Sequence, residues 1–188
     1  MTLGTLTWNR ALDHPHLLAT STLATLTAWA DEEPDVADAV LVTQIDPDLA
    51  DTATLTASFA LPPAASANCV LVAGRREGEE RVAACVVRAT TRADVNNAVK
   101  RLLDVRKASF LPMDRAVEES GMEYGGITPL GLPQRYRVMV DARVALDDPD
   151  AGGVVVIGSG LRRSKIALPG ALLARAPGVE LIEGLALA

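Results

Sequence analysis

The chain has 188 residues, 49% of them hydrophobic and 22% charged, a composition that folds and is unlike that of a disordered segment. It has no apolar run of the roughly 18 residues a membrane span needs, no basic-then-apolar start of the secretory type at Met1-Thr2-Leu3-Gly4, and only two cysteines, too few for a disulfide framework. Its net charge of −6 argues against simple non-specific nucleic-acid binding, but residues 1–74 carry a single basic residue, Arg10, and net −8, whereas residues 75–188 net +2.

In chain order, Leu18, Thr22, Leu26 and Trp29 fall at helical spacing and predict a helix over 15–30, ended by the acidic stretch around Pro34. Residues 39–44 read as a short apolar strand. Residues 51–59 read as a helix capped by Asp51 or Thr52, and 60–66 as a hinge. The β-branched runs 68–73 and 81–87, joined by the polar stretch 74–80, predict a long hairpin. Asp94 caps a helix reaching Leu103, and Pro112 and Gly121 bracket another over 112–120. Strands follow over 136–141, 153–157, 164–168 and 179–182, with a short helix over 170–174. This order predicts an α+β fold: a curved, mixed, barrel-like β-sheet surrounded by helices in a single domain. Residues 1–50 read as an N-terminal helical appendage to a unit over 51–188.

The chemical inventory narrows the function. His14 and His16 are the only histidines and have no third ligand near them in sequence, so no metal site is expected, and a Ser-His-Asp triad would need the N-terminus to fold over a distant serine. Cys69 and Cys85 sit inside apolar strands and read as small core residues. Gly158-Ser159-Gly160 follows a buried strand, yet neither a third Rossmann glycine nor a Walker lysine comes after it. Hydride transfer and nucleotide hydrolysis are thereby unsupported, and no cofactor is expected.

Two loops stand out. Tyr124-Gly125-Gly126-Ile127-Thr128-Pro129-Leu130-Gly131 is stiff, and its exposed backbone can direct N–H groups at one oxygen. Gly158-Ser159-Gly160-Leu161-Arg162-Arg163-Ser164-Lys165 is a glycine turn followed by three cations, a pattern suited to phosphate. On these segments, with Asn68-Cys69-Val70-Leu71-Val72 and Arg106-Lys107-Ala108-Ser109-Phe110, the chain resembles the YbaK/EbsC family of aminoacyl-tRNA editing domains over about residues 50–186. That family is similar to the editing insertion of bacterial prolyl-tRNA synthetases.

The resemblance implies a cytoplasmic domain acting in trans on the aminoacylated 3′ end of tRNA, with an aminoacyl-tRNA synthetase as a further partner and without a membrane. It implies hydrolysis of the ester by a positioned water, with oxyanion stabilisation from the loop backbone and no protein nucleophile. Catalytic roles then fall on Asn68 and Gly126. Substrate contacts fall on Gly125, Ile127, Thr128, Pro129 and Gly131 from the first loop, and on Gly158, Ser159, Gly160, Arg162 and Lys165 from the second. The sequence departs from the family at Asn68, where a lysine is usual, and Lys107 or Lys165 is left to supply a cation. The alternative is a weakened or inactive module of the same fold that binds an aminoacyl-tRNA end or an aminoacyl-nucleotide.

Overall fold

The computed structural model describes residues 2–146 and 152–188. The chain opens with the short hairpin β1 (Thr2–Leu3) and β2 (Leu6–Thr7), then β3 (Asn9–Arg10), α1 (Thr20–Glu32), α2 (Asp35–Ala39) and β4 (Leu41–Gln44). Next come α3 (Thr52–Phe59), the long strands β5 (Ala67–Arg76) and β6 (Glu79–Arg88), β7 (Arg92–Ala93), α4 (Lys100–Leu102), β8 (Ala108–Phe110) and α5 (Met113–Ser120). The last part holds β9 (Tyr136–Asp141), α6 (Ala142–Ala145), β10 (Val154–Gly158), β11 (Ser164–Pro169), α7 (Gly170–Leu173), β12 (Val179–Ile182) and β13 (Ala186–Leu187).

Two sheets dominate. One has the order β10-β11-β4-β3 and is antiparallel throughout. The other has the order β12-β9-β6-β5-β8, with β9 parallel to both β6 and β12. The sheets touch through a parallel bridge between Ser66 and Val156. The architecture is thus mixed α+β, as expected, but among the described residues no ladder closes these strands into a barrel. Strands β3 and β4, from the first 50 residues, hydrogen-bond directly into the first sheet. The main core lies where α1, α2 and α7 cover the sheets, with Leu26, Trp29, Val42, Val140, Ile157, Ile166 and Leu173 buried together. Among the described residues no helix is long and apolar enough to cross a membrane.

Local signals act where the side chains can satisfy the backbone. Asp51 accepts from Thr54 N–H (3.0 Å) and caps α3, the first of the two caps the sequence allows. Gly121, at φ +67°, ends α5. Pro112 is the residue before the first helical turn of α5, one position earlier than its sequence reading. Four readings change. The 15–30 helix begins only at Thr20, because residues 15–17 form a tight 3₁₀ turn behind Pro15. Beyond Pro34, where no element was expected before the strand over 39–44, the chain turns helical again over 35–39. The 74–80 connector shrinks to a two-residue turn: the β5–β6 ladder runs out to Arg76↔Glu79, and Glu77 and Gly78 both take positive φ, the geometry that follows the twist of the strands. Residues 95–99 form a wider i→i+5 turn, closed by Val99 N–H to Asp94 O (3.0 Å), before α4.

Candidate active site

The two glycine loops meet. Gly160 N–H donates to Gly126 O (2.7 Å) and Glu123 N–H to Gly160 O (2.9 Å). Arg162 N–H donates to the Glu123 carboxylate (2.6 Å). The approach is close enough that a Cβ on Gly158 would lie 2.2 Å from Gly126 O, and one on Gly126 would lie 2.5 Å from the Leu161 carbonyl carbon. The start of α1 clamps both loops. Ala19 N–H donates to Ser159 O (3.0 Å), Thr22 Oγ1 donates to Leu130 O (3.1 Å), and the backbones of Gly160 and Gly131 pack on Ala19 and Ser21.

Beside this seam lies a cleft of about 520 Å³, lined by both residues of the bridge between the sheets and by the start of β5. Such a volume suits a small ligand of nucleoside size. Leu55, Cys69, Val70, Ile127, Val156 and Ile157 provide its apolar wall, and Asp51, Thr52, Asn68, Tyr124, Arg162 and Lys165 its polar groups. The loop residues Gly125 and Gly158 also line it.

Lys165 is the central group. Its side chain leaves β11 and is only 7% exposed. The ammonium donates to Ala50 O and Gly125 O, both at 2.8 Å, and a lysine ammonium has three protons, so one remains for a ligand. Burial, reinforced by the Arg162 charge and opposed by Asp51, lowers its pKa from 10.5 to about 8. Asn68, at the start of β5, lines the same cleft. Thr52 Oγ1 donates to Asn68 Oδ1 (2.7 Å), which fixes the amide and leaves its NH₂ group able to donate. At the mouth, Tyr124 is 57% exposed and the Arg162 guanidinium sits 5.7 Å from its ring centroid, a cation–π contact. Arg162 Nη1 also donates to Tyr124 O (3.3 Å). Cys69 reaches the wall as a thiol, because its apolar surroundings push its pKa far above the usual value.

Of the sequence-assigned residues, Asn68, Gly125, Ile127, Gly158, Arg162 and Lys165 come together in the cleft. The others occupy the seam. Gly126 N–H is held by Glu123 O (2.9 Å), which removes it as a donor to an oxyanion, and its missing side chain makes room for Leu161. Thr128 is fully buried, with its N–H on Met122 Sδ (3.4 Å), and Pro129 is buried beside it. Gly131 lies against α1. Ser159 is fully buried, and its hydroxyl is shared with Ser164 Oγ (2.8 Å) and Ser164 O (3.1 Å). Gly160 supports the same turn. Lys107 is exposed and is not part of the cleft lining. Sequence reasoning did not place Asp51, Thr52 and Tyr124 in the site. Tyr124 adjoins the glycine pair and is one of only two tyrosines, a usable signal; Asp51 and Thr52 were legible only as a helix cap. Among the described residues no group of three or more His, Cys, Asp or Glu side chains is placed to hold a metal.

The aminoacyl-tRNA editing domain model matches residues 46–176, and no curated protein matches the chain. Among solved structures, a hypothetical protein superposes with a TM-score of 0.70 at 18% identity, covering 87% of this chain and 99% of its own. A candidate trans-editing enzyme for prolyl tRNA synthetase superposes at 0.66 with 14% identity, covering 88% of this chain and 97% of its own. A scaffold protein used for epitope backbone grafting gives 0.64 at 16% identity, with 88% and 97% covered. At these identities the structural matches establish the fold alone.

Proposed function

The chain belongs to the aminoacyl-tRNA editing domain family, and from that premise we propose that it hydrolyses, in trans, the ester of a mischarged tRNA. An aminoacyl ester is already activated. A positioned water and stabilisation of the oxyanion suffice, without a protein nucleophile. Water attacks the ester carbonyl and forms the new C–O bond, the tetrahedral oxyanion collapses with cleavage of the C–O bond to ribose, one water proton passes to the leaving ribose oxygen and the other to solvent, and the amino acid departs as its carboxylate. The oxyanion role expected of the Gly126 backbone passes to side chains, the third N–H of Lys165 and the amide of Asn68, two residues that line the same cleft. Lys165 thereby supplies, from β11, the cation that the family carries at the position of Asn68. The apolar wall around Leu55, Val156 and Ile157 takes the amino-acid side chain and excludes larger ones, a sieve worth about 1–3 kcal/mol per methylene. Tyr124 and Arg162 receive the terminal nucleoside and its phosphate.

The observation that carries the reading is a buried ammonium with a spare proton sharing one cleft with a free amide donor. The test is incubation of the protein with a panel of misacylated tRNAs, including Ala-, Cys- and Pro-type charges, and measurement of ester loss against buffer. Loss on one or a few charges is the expected result. A second reading has its own support: Asn68 is uncharged and the Gly126 N–H is occupied. On that reading the domain binds an aminoacyl-tRNA end without cleaving it, and the panel would show retention on a filter with no ester loss.

A further inference from the structure

The cleft has one carboxylate in its lining, that of Asp51, facing two cations, Arg162 and Lys165. A carboxylate at the mouth of a site for an RNA end is unfavourable, because RNA brings only negative charge along its backbone. It becomes favourable when the ligand carries a cation of its own. The acylated end of an RNA has one such group, the α-ammonium of the amino acid, a few bonds from the ester. Resting on the reading of the cleft as a site for that end, we propose that Asp51 is a specificity-determining residue that binds the free α-ammonium and thereby selects aminoacyl esters over N-acylated and peptidyl ones.

The placement fits. Asp51 is exposed in the cleft lining, directly before α3, and uses Oδ1 to hold Thr54 N–H (3.0 Å), a cap that orients the carboxylate. Ala50, its neighbour in sequence, supplies the carbonyl that anchors the Lys165 ammonium (2.8 Å). The ammonium-binding oxygen and the ester-polarising nitrogen are therefore set by adjacent residues, as adjacent groups of one substrate require. The Asp51 carboxyl is held below its usual pKa, first by the Thr54 hydrogen bonds, and is ionised at neutral pH.

The test uses non-hydrolysable 3′-aminoacylamino-3′-deoxyadenosine, with its α-amine free or acetylated, and measures binding to the full chain by calorimetry. Wild type is expected to bind the free amine about fivefold more tightly than the acetylated form, the upper range for a solvent-exposed charge pair. In Asp51→Asn, which keeps an equivalent helix cap, that ratio falls to about one. Asp51→Ser, also a competent cap, gives the same loss and guards against a fold-specific artefact of the first variant. An undiminished ratio in both variants, or no discrimination by wild type, overturns the assignment. Discrimination by wild type without hydrolysis of any charged tRNA would sink the hydrolase reading and leave the ammonium site standing. Hydrolysis without discrimination would do the reverse, and no binding of either analogue would remove both.

Discussion

Replacing Lys165 with methionine separates what the ammonium does for the reaction from what it costs the fold. Methionine keeps the length and apolar stem and removes the charge. The lowering of the pKa from 10.5 to about 8 means that the folded protein disfavours the charged lysine, relative to water, by roughly 3 kcal/mol. The unfolded chain therefore holds this proton more tightly than the folded one. Stability is lowest below pH 8 and rises as the pH passes from about 8 to 10.5. The Met variant has nothing to titrate there. The stability of wild type relative to the variant is expected to improve by about 3 kcal/mol between pH 7 and pH 11, read by urea denaturation at stepped pH. Taking the difference cancels the other lysines, the tyrosines and the cysteines. For activity, losing one charge-assisted hydrogen bond to the transition state costs about 1.5–3 kcal/mol, or about 10- to 150-fold in single-turnover ester loss. A variant with the wild-type rate, or a stability difference flat from pH 7 to 11, would refute the assignment of the buried ammonium to the site.

Asn68→Lys introduced into the Lys165→Met protein is expected to recover part of the lost rate, since it returns a cation to the cleft lining; the same rate as Lys165→Met alone counts against that placement of Asn68. Tyr124→Ala should raise KM for a charged minihelix by about 5- to 150-fold with a smaller change in kcat, the range for one lost base–aromatic stack, and Tyr124→Trp should preserve it; equal KM in all three proteins removes Tyr124 from the nucleoside contact. Gly126→Val abolishes ester loss through the fold instead of by blocking the ester, because its side chain meets the Leu161 backbone. A melting temperature lowered by about 1–3 kcal/mol worth of stability, or more, is the expected signature of such overpacking, and a variant that melts like wild type would mean the loops can part.

The elements that carried their own signal were readable. Asp51 capped its helix because a carboxylate three residues before Thr54 meets an N–H that nothing else satisfies, and Gly121 ended one because only glycine takes the left-handed turn cheaply. Val138 and Val140 marked the strand 136–141, although the fold also covers its other face, where Met139 is fully buried. The extension of the β5–β6 ladder through Arg75 and Arg76 was hidden, since exposed charged side chains at the far end of a hairpin look like loop residues. The tight 3₁₀ turn behind Pro15 and the second helix behind Pro34 were hidden for a related reason: proline forbids continuation but does not say what conformation follows.

Among the site residues, the two glycine loops and the cations after the second were visible as chemistry in the chain. The lysine within the otherwise apolar strand over 164–168 was visible too. Their division into lining and scaffold was not. Ser159 looks like a ligand in sequence and is spent on Ser164, whereas Asp51 looks like a cap and also faces the cleft. Residue types, turns and caps follow from short-range sterics and hydrogen bonding, which a sequence window contains. Which loop backbone faces solvent depends on contacts such as Ala19 to Ser159 and Thr22 to Leu130, more than 100 residues apart. Only the packed chain decides which hydrogen-bonding groups those contacts use up and which they leave for a ligand.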